Sequence, residues 1–184
     1  MTRISRPGLA IGMAAALALT AAAPSEAALA VGAKAPDFAI DASVGGKLFR
    51  FSLAETLKKG PVVLYFYPAA FTSGCTVEAH DFAEATAKYA ELGATVIGVS
   101  NDKIDTVQRF SVEECRSKFA VGADPDRHVI KSYDAGLPMV GNASRTSYVI
   151  APDSTIAYEF TSMSPDKHVP NTLAALKAWK DAKR

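Results

Sequence analysis

Cys75 is the side chain in this sequence that is best placed to act as a nucleophile. It follows the apolar run Pro61–Tyr67 and a short loop that contains Pro68, and a long helix is predicted to begin at it. A thiol is a poor nucleophile until it becomes a thiolate. The unpaired N–H groups and the dipole at a helix start favour negative charge. The position of Cys75 therefore predicts a reactive thiolate.

Three further residues could take part in the chemistry at this sulfur. Thr72 lies three residues before Cys75, and its hydroxyl can donate to or accept from a small substrate. Pro68 has no N–H and fixes the turn after the strand, so it can shield the thiolate from bulk water. Arg145 is the best candidate for a cationic partner, because it begins a strand of the same predicted sheet and an arginine stays charged.

The elements around these residues predict an α/β fold with a mixed central sheet and helices on both faces. The apolar run Pro61–Tyr67 is typical of a strand that is buried on both faces, and Thr95–Ser100 is the next such strand. A helix over Cys75–Leu92 connects them, which gives a right-handed βαβ unit.

The remaining elements are predicted from turn, capping and periodicity signals. They are short strands at Phe38–Ile40 and Lys47–Phe51, a helix over Leu53–Lys58 capped by Ser52, a helix from Asp102 to about Phe119 that holds Cys115, a turn over Ala123–Asp126, a short helix over Arg127–Tyr133, a hairpin of Arg145–Ile150 and Thr155–Phe160, and a closing helix over Asn171–Lys183. His128 and His168 are expected at the surface, and His80 at the surface or in a packing contact.

Residues 1–30 predict a cleavable export signal, which leaves a single domain at 31–184. Arg3 and Arg6 precede an apolar segment over Leu9–Ala23, and small residues then allow cleavage after Ala27 or Ala30. A retained membrane anchor is the alternative, but the apolar run is short for a span of about 20 residues. We therefore expect a periplasmic or secreted protein with no stable membrane association after cleavage.

Composition excludes several other classes of protein. The formal net charge is +1 and no basic block stands out, so nucleic-acid binding is not expected. The two cysteines form no C-x-x-C pair and none of the three histidines lies at ligand spacing from them. We expect neither a metal site nor a cofactor.

The pattern Pro68-x-x-x-Thr72-x-x-Cys75 resembles the active-site motif of the peroxiredoxins. The longer stretch from Phe66 through Cys75-Thr76-x-Glu78 to Phe82 is similar to the bacterioferritin-comigratory-protein, or PrxQ, branch. This resemblance implies a thioredoxin-like fold and a thioredoxin-dependent type of hydroperoxide reductase. It implies that Cys75 is the peroxidatic cysteine and becomes a sulfenic acid. It also implies that Thr72 and Arg145 hold the peroxide, that Glu78 orients Arg145, and that the protein is a monomer.

The sequence departs from the common form of this branch at one position. Many relatives carry a resolving cysteine five residues after the peroxidatic one, where this chain has His80. Another subset of the branch places it near Cys115, so the resemblance implies a Cys75–Cys115 disulfide. That bond requires local unfolding, because disulfide geometry needs Cα atoms within about 7 Å. A one-cysteine enzyme that is resolved by an external thiol is the alternative.

The expected partners are a hydroperoxide substrate and a thioredoxin-like reductant protein. An exported thiol–disulfide oxidoreductase is a second hypothesis, but residues 75–78 read Cys-Thr-Val-Glu and lack a second thiol. A non-catalytic thioredoxin-like binding module with an inert Cys75 is a third. Peroxide consumption compared between the wild type and Cys75→Ser tests the first hypothesis, and reduction of disulfide substrates without peroxide consumption would favour the second.

Overall fold

The computed structural model describes residues 28–183, and residues 1–27 of the predicted export signal lie outside this described part. No helix within residues 28–183 is long and apolar enough to cross a membrane. The strands are β1 (Ala39–Val44), β2 (Lys47–Ser52), β3 (Val62–Phe66), β4 (Thr95–Ser100), β5 (Ala120–Ala123), β6 (Thr146–Ile150) and β7 (Ile156–Thr161). The helices are α1 (Leu53–Leu57), α2 (Ser73–Glu91), α3 (Ile104–Glu113), α4 (His128–Ser132) and α5 (His168–Asp181).

The strands of the described chain form one mixed sheet in the order β2-β1-β5-β4-β3-β6-β7. β3, β4 and β5 run parallel, and β6 pairs antiparallel with β3. In that antiparallel register Phe66, the last residue of β3, lies opposite Thr146, the first residue of β6. The loop that carries Cys75 and the segment that carries Arg145 are therefore brought to the same end of the sheet.

β3 is buried on both faces, as its continuous apolar sequence predicts. Val62, Leu64 and Phe66 belong to one core cluster, whereas Val63 and Tyr65 belong to another. The first cluster is covered by α1 and α4, and the second by α2, α3 and α5. Because successive side chains of a strand point to opposite faces, both faces need a helical cover. The predicted arrangement of a mixed sheet with helices on both faces is confirmed.

The segment after β4 differs from its prediction. The helix expected to run to about Phe119 ends at Glu113, so Cys115 lies beyond its end and not within it. Arg116 and Ser117 then have φ values of 50° and 58°, a left-handed backbone that no α-helix continues. The strand Ala120–Ala123 was not predicted, because four small residues show no periodicity. It forms because it fills the place between β4 and β1.

Candidate active site

The loop between β3 and α2 is fixed at several points. Asp102, just beyond the carboxyl end of β4, accepts a hydrogen bond from the Ala70 amide at 2.7 Å and one from the Ser100 hydroxyl at 2.8 Å. Phe71 has a left-handed φ of 64°, and its ring packs edge-on against Phe110 with the centroids 5.3 Å apart. A residue other than glycine adopts such a φ mainly where the surrounding structure enforces it. The start of α2 is thereby held in one position relative to the sheet.

Cys75 lies in the first turn of α2 and is 2% exposed. The first amides of a helix have no partner within the helix and create positive potential there. Thr72 is the N-cap residue, and its exposed hydroxyl donates to the Ala69 carbonyl at 2.9 Å. Pro68 is half-buried directly after Tyr67, between β3 and this turn. The sulfur is thus largely shielded from water and lies in the first turn of a helix.

Arg145 reaches Cys75 although 70 residues separate them. Its Nη2 lies 3.5 Å from the Cys75 sulfur, and its Nε donates to the Met163 carbonyl at 3.0 Å. Its Nη1 donates to a carboxylate oxygen of Glu78. A β-carbon at position 74 would lie 3.0 Å from Nη2, so Gly74 lets the guanidinium approach the first turn of α2 closely. The three attachments fix the plane and position of the guanidinium.

Glu78 lies one helical turn after Cys75 and is fully buried. Burial raises the pKa of its carboxyl group to about 8, although the charge of Arg145 acts in the opposite direction. Burial lowers the pKa of Arg145, but the charges of Glu78 and Cys75 more than offset this, and its pKa is raised overall. Arg145 therefore stays cationic while Glu78 has a strong tendency to take up a proton.

The structure places His168 inside the protein, so the prediction that it lies at the surface is wrong. Its imidazole is fully buried at the start of α5 and contacts the ring of Phe160 edge-on. Nδ1 lies 2.8 Å from the Ser147 hydroxyl and 3.7 Å from Oε1 of Glu78. The predicted helix began only at Asn171, so the sequence reading placed His168 in a connecting loop. His128 is exposed, as expected.

Cys115 is fully buried in the same core cluster as Cys75, and both thiols are free. Burial raises the pKa of the Cys115 thiol. Its two neighbours in sequence contact side chains of α2. Glu114 lies 2.8 Å from Nε2 of His80, and Arg116 lies 3.1 Å from a carboxylate oxygen of Glu84. These contacts hold the Cys115 segment against α2.

Sequence reasoning missed two residues of this site, Asp102 and His168. Asp102 could have been found, because polar residues at the carboxyl ends of parallel strands gather at one edge of a sheet. No local signal marks His168, since its burial depends on how α5 packs against β6 and α2. The structure brings Cys75, Arg145 and Glu78 together, whereas the Thr72 hydroxyl is occupied by a backbone carbonyl.

Residues 31–159 match the AhpC/TSA family. A peroxiredoxin of Mycobacterium tuberculosis is 34% identical over 130 residues, which cover 68% of this chain and 84% of that protein. The Helicobacter pylori peroxiredoxin named bcp is 32% identical over 154 residues, 80% of this chain and 98% of that protein. The crystal structure of peroxidoxin BcpB from Mycobacterium tuberculosis superposes with a TM-score of 0.73 at 31% identity, and covers 80% of this chain and 96% of that one.

Together with the mixed sheet and the cysteine at the start of α2, these matches show that the chain belongs to the AhpC/TSA family of thiol peroxidases. Within that family it is a peroxiredoxin of the BCP/PrxQ branch with a thioredoxin-like fold. The fold class and the family expected from the sequence are both confirmed.

Proposed function

We propose that Cys75 is the peroxidatic cysteine and that Arg145 holds it as a thiolate. The observation that carries this proposal is the 3.5 Å contact between Arg145 Nη2 and the sulfur, in the first turn of α2. A guanidinium keeps its charge throughout the physiological range. Helix amides add positive potential at the same place. Both favour the thiolate over the thiol in a site where water could do little to stabilise it.

The thiolate attacks one oxygen of a hydroperoxide. An S–O bond forms as the O–O bond breaks, and the sulfur is oxidised to a sulfenic acid. The other oxygen leaves as hydroxide or alkoxide and takes a proton from solvent, which gives water or an alcohol. Arg145 and the Thr72 hydroxyl, once rotated away from the Ala69 carbonyl, face the charge that develops on the leaving oxygen. Pro68 limits the access of water to the reacting sulfur.

The reduced protein and its Cys75→Ser variant test this assignment directly. We expect rapid consumption of one equivalent of hydrogen peroxide by the wild type and none above background by the variant. Cys115→Ser is the matched control, because it removes the other thiol and should leave the first equivalent unaffected. Peroxide consumption by Cys75→Ser at the wild-type rate would refute the role of Cys75.

Resolution of the sulfenic acid by Cys115 is the second part of the proposal. The Cys115 thiolate attacks the oxidised sulfur of Cys75, an S–S bond forms, and hydroxide leaves and is protonated to water. The Cys115 thiol is buried and its raised pKa disfavours the thiolate, so its segment must first open from the protein interior. Opening would break the contacts of Glu114 with His80 and of Arg116 with Glu84. It would also allow Arg116 to leave its left-handed backbone conformation.

Mass spectrometry after one equivalent of peroxide decides between the two routes of resolution. An internal disulfide lowers the mass by two hydrogens and links the Cys75 and Cys115 peptides. A stable sulfenic or sulfinic adduct on Cys75 with Cys115 still free would instead indicate an external resolving thiol. In either route a thioredoxin-like protein supplies the electrons, and we propose that the enzyme works as a monomer.

Export and cleavage after Ala27 complete the proposal. Ala28 and Leu29 pack against the core, and the Leu29 amide donates to the Tyr148 hydroxyl at 3.0 Å. Cleavage after Ala30 would remove these contacts, whereas cleavage after Ala27 retains them. The intact mass of the protein recovered from the periplasm of a bacterial host tests this, and a mature chain beginning at Val31 would contradict it.

A further inference from the structure

His168 is held on two sides by hydrogen bonds that define its tautomer. Nε2 lies 2.9 Å from the Ser162 carbonyl, which can only accept, so Nε2 carries a hydrogen. In the neutral ring Nδ1 is then an acceptor, and the Ser147 hydroxyl donates to it at 2.8 Å. The lone pair of Nδ1 is therefore taken by Ser147 in the neutral ring, whereas in the cationic ring Nδ1 donates to the Ser147 oxygen; in both forms Nδ1 lies 3.7 Å from Oε1 of Glu78.

Glu78 has one satisfied and one unsatisfied oxygen. Oε2 receives Nη1 of Arg145, whereas Oε1 has no hydrogen-bond partner among the described residues. The distance from Oε1 to Nδ1 of His168 is 3.7 Å. A fully buried carboxylate oxygen without a donor is destabilising. One proton held by the Glu78–His168 pair reduces this cost. On Oε1 it neutralises the carboxyl group, and on Nδ1 it places a cation 3.7 Å from the unpaired oxygen, with Ser147 then accepting from Nδ1.

The charges of Cys75, Glu78 and Arg145 also indicate that this cluster holds one additional proton. A Cys75 thiolate and a Glu78 carboxylate are two buried anions, and within residues 28–183 Arg145 is the one cation in contact with both. The hydroxyl of Ser147 and the carbonyl of Ser162 carry no charge. The hydroxyls of Tyr89 and Thr172 bond to each other at 2.7 Å. The charged side chains in the groove between α2 and α5 are Asp81, Glu84, Lys88 and Asp166, and within the described part of the chain none of them forms an ion pair with Glu78 or His168. One additional proton makes the cluster neutral.

We propose that His168 is a positioning residue of the active site: it shares one proton with Glu78, and so leaves the charge of Arg145 available to the Cys75 thiolate. This inference rests on the proposed role of Cys75. When the proton is held between Glu78 and His168, the carboxyl group does not compete with the sulfur for Arg145. When that proton is lost, Glu78 becomes an anion and draws the guanidinium charge away from the sulfur.

The direction of the individual pKa shifts agrees with this arrangement. Burial raises the pKa of Glu78 to about 8. Burial lowers the pKa of His168, the Ser162 carbonyl opposes this, and the charge of Arg145 adds to the lowering. The proton therefore resides mainly on Glu78, and His168 is the second site of the pair that can take it up.

His168→Gln tests the charge role apart from the structural one. Glutamine can keep the hydrogen bond to the Ser162 carbonyl, but it has no group in place of Nδ1. The readout is the pH midpoint of alkylation at Cys75, followed by peptide mass spectrometry, which requires no peroxide. We expect the midpoint to rise by about half a pH unit or more, the size that loss of one hydrogen bond implies. His128→Gln, on the exposed histidine, is the matched control and should leave the midpoint unchanged.

Glu78→Gln supplies the second measurement. Its neutral amide mimics the protonated carboxyl group, so the midpoint should not rise in this variant, and adding His168→Gln to it should have no further effect. An unchanged midpoint in folded His168→Gln overturns the inference, as does an equal upward shift with and without Glu78. If His168→Gln fails to fold, folded Glu78→Gln still decides, because a midpoint raised above that of the wild type in this variant overturns the inference. If Cys75 of the wild type is not alkylated at any pH tested, the proposed role of Cys75 is refuted instead.

Discussion

Replacement of Arg145 by lysine separates the position of the positive charge at Cys75 from its presence. The guanidinium is held by the Met163 carbonyl at 3.0 Å and by Glu78, and these two bonds present Nη2 to the sulfur at 3.5 Å. A lysine keeps the charge but has a single ammonium group, which cannot make three bonds in the directions of a planar fork. We expect the Glu78 carboxyl group and the Met163 carbonyl to hold the ammonium away from the sulfur, because both offer fixed oxygen acceptors.

The expected loss of rate follows from the number of bonds removed. A hydrogen bond to a charged group contributes about 1.5–3 kcal/mol. If the bond from Nη2 to the sulfur and the leaving oxygen is the one lost, the second-order rate with hydrogen peroxide should fall roughly 10- to 150-fold. Stopped-flow measurement of the intrinsic fluorescence change, with peroxide in excess over reduced protein, gives this rate. Near-ultraviolet circular dichroism shows whether the core around the site is intact.

Arg50→Lys provides the matched control, because Arg50 forms an exposed ion pair with Asp41 at 3.0 Å on the edge of the sheet. Such a surface pair contributes about 0–1 kcal/mol to stability and has no contact with the site. Its peroxide rate should equal that of the wild type. A folded Arg145→Lys variant that reacts as fast as Arg50→Lys would show that the charge alone matters, and the argument from the fixed guanidinium would fail.

Three further changes have expected outcomes. His80→Ala removes the 2.8 Å contact with Glu114. Cys115 should then be released more readily and form its disulfide about two- to fivefold faster, as a contact worth about 0.5–1 kcal/mol implies. An unchanged rate in rapid-quench mass spectrometry would show that the contact does not restrain the segment. Ser111→Ala removes a fully buried hydroxyl that bonds to Ser43 of β1 at 2.9 Å, to the Gly46 amide at 3.0 Å and to the Gln108 carbonyl at 2.7 Å. We expect the free energy of unfolding in urea to fall by about 1–3 kcal/mol, and a loss below about 0.5 kcal/mol would contradict this. Gly98→Ala would place a β-carbon 2.5 Å from the ring of Tyr65 in β3. We expect thermal denaturation to show a destabilisation of about 1–3 kcal/mol. Stability equal to that of the wild type would mean that the Tyr65 ring can move aside.

The long elements of the fold were predictable because their signals are local. The apolar run of β3 and the helical spacing of α2 depend on residues that are close in sequence, and both elements appear within two residues of their predicted bounds. Ser52 caps α1 through a hydrogen bond from the Glu55 amide to its hydroxyl at 3.3 Å, as its sequence pattern predicts. The end of α3 was not predictable in the same way, because Cys115 and its neighbours are held by contacts with α2.

The short strand β5 shows why sheet membership is harder to predict than a long helix. Its residues Ala120–Ala123 are small, and nothing in their order distinguishes a strand from a loop. They adopt extended backbone because β4 and β1 both offer them hydrogen-bond partners. A strand of this kind is stabilised by its neighbours, which are distant in the chain.

The sequence by itself determined the candidate nucleophile. Cys75 stands at the end of a predicted strand–loop–helix unit, within the pattern Pro68-x-x-x-Thr72-x-x-Cys75, and each of these signals lies within a few residues of the sulfur. Only the tertiary structure decided what surrounds that sulfur. The antiparallel register of β6 on β3 brings Arg145 to it, and the packing of α5 buries His168 beside Glu78. Contacts between residues far apart in the chain depend on strand register and burial, which no local pattern encodes.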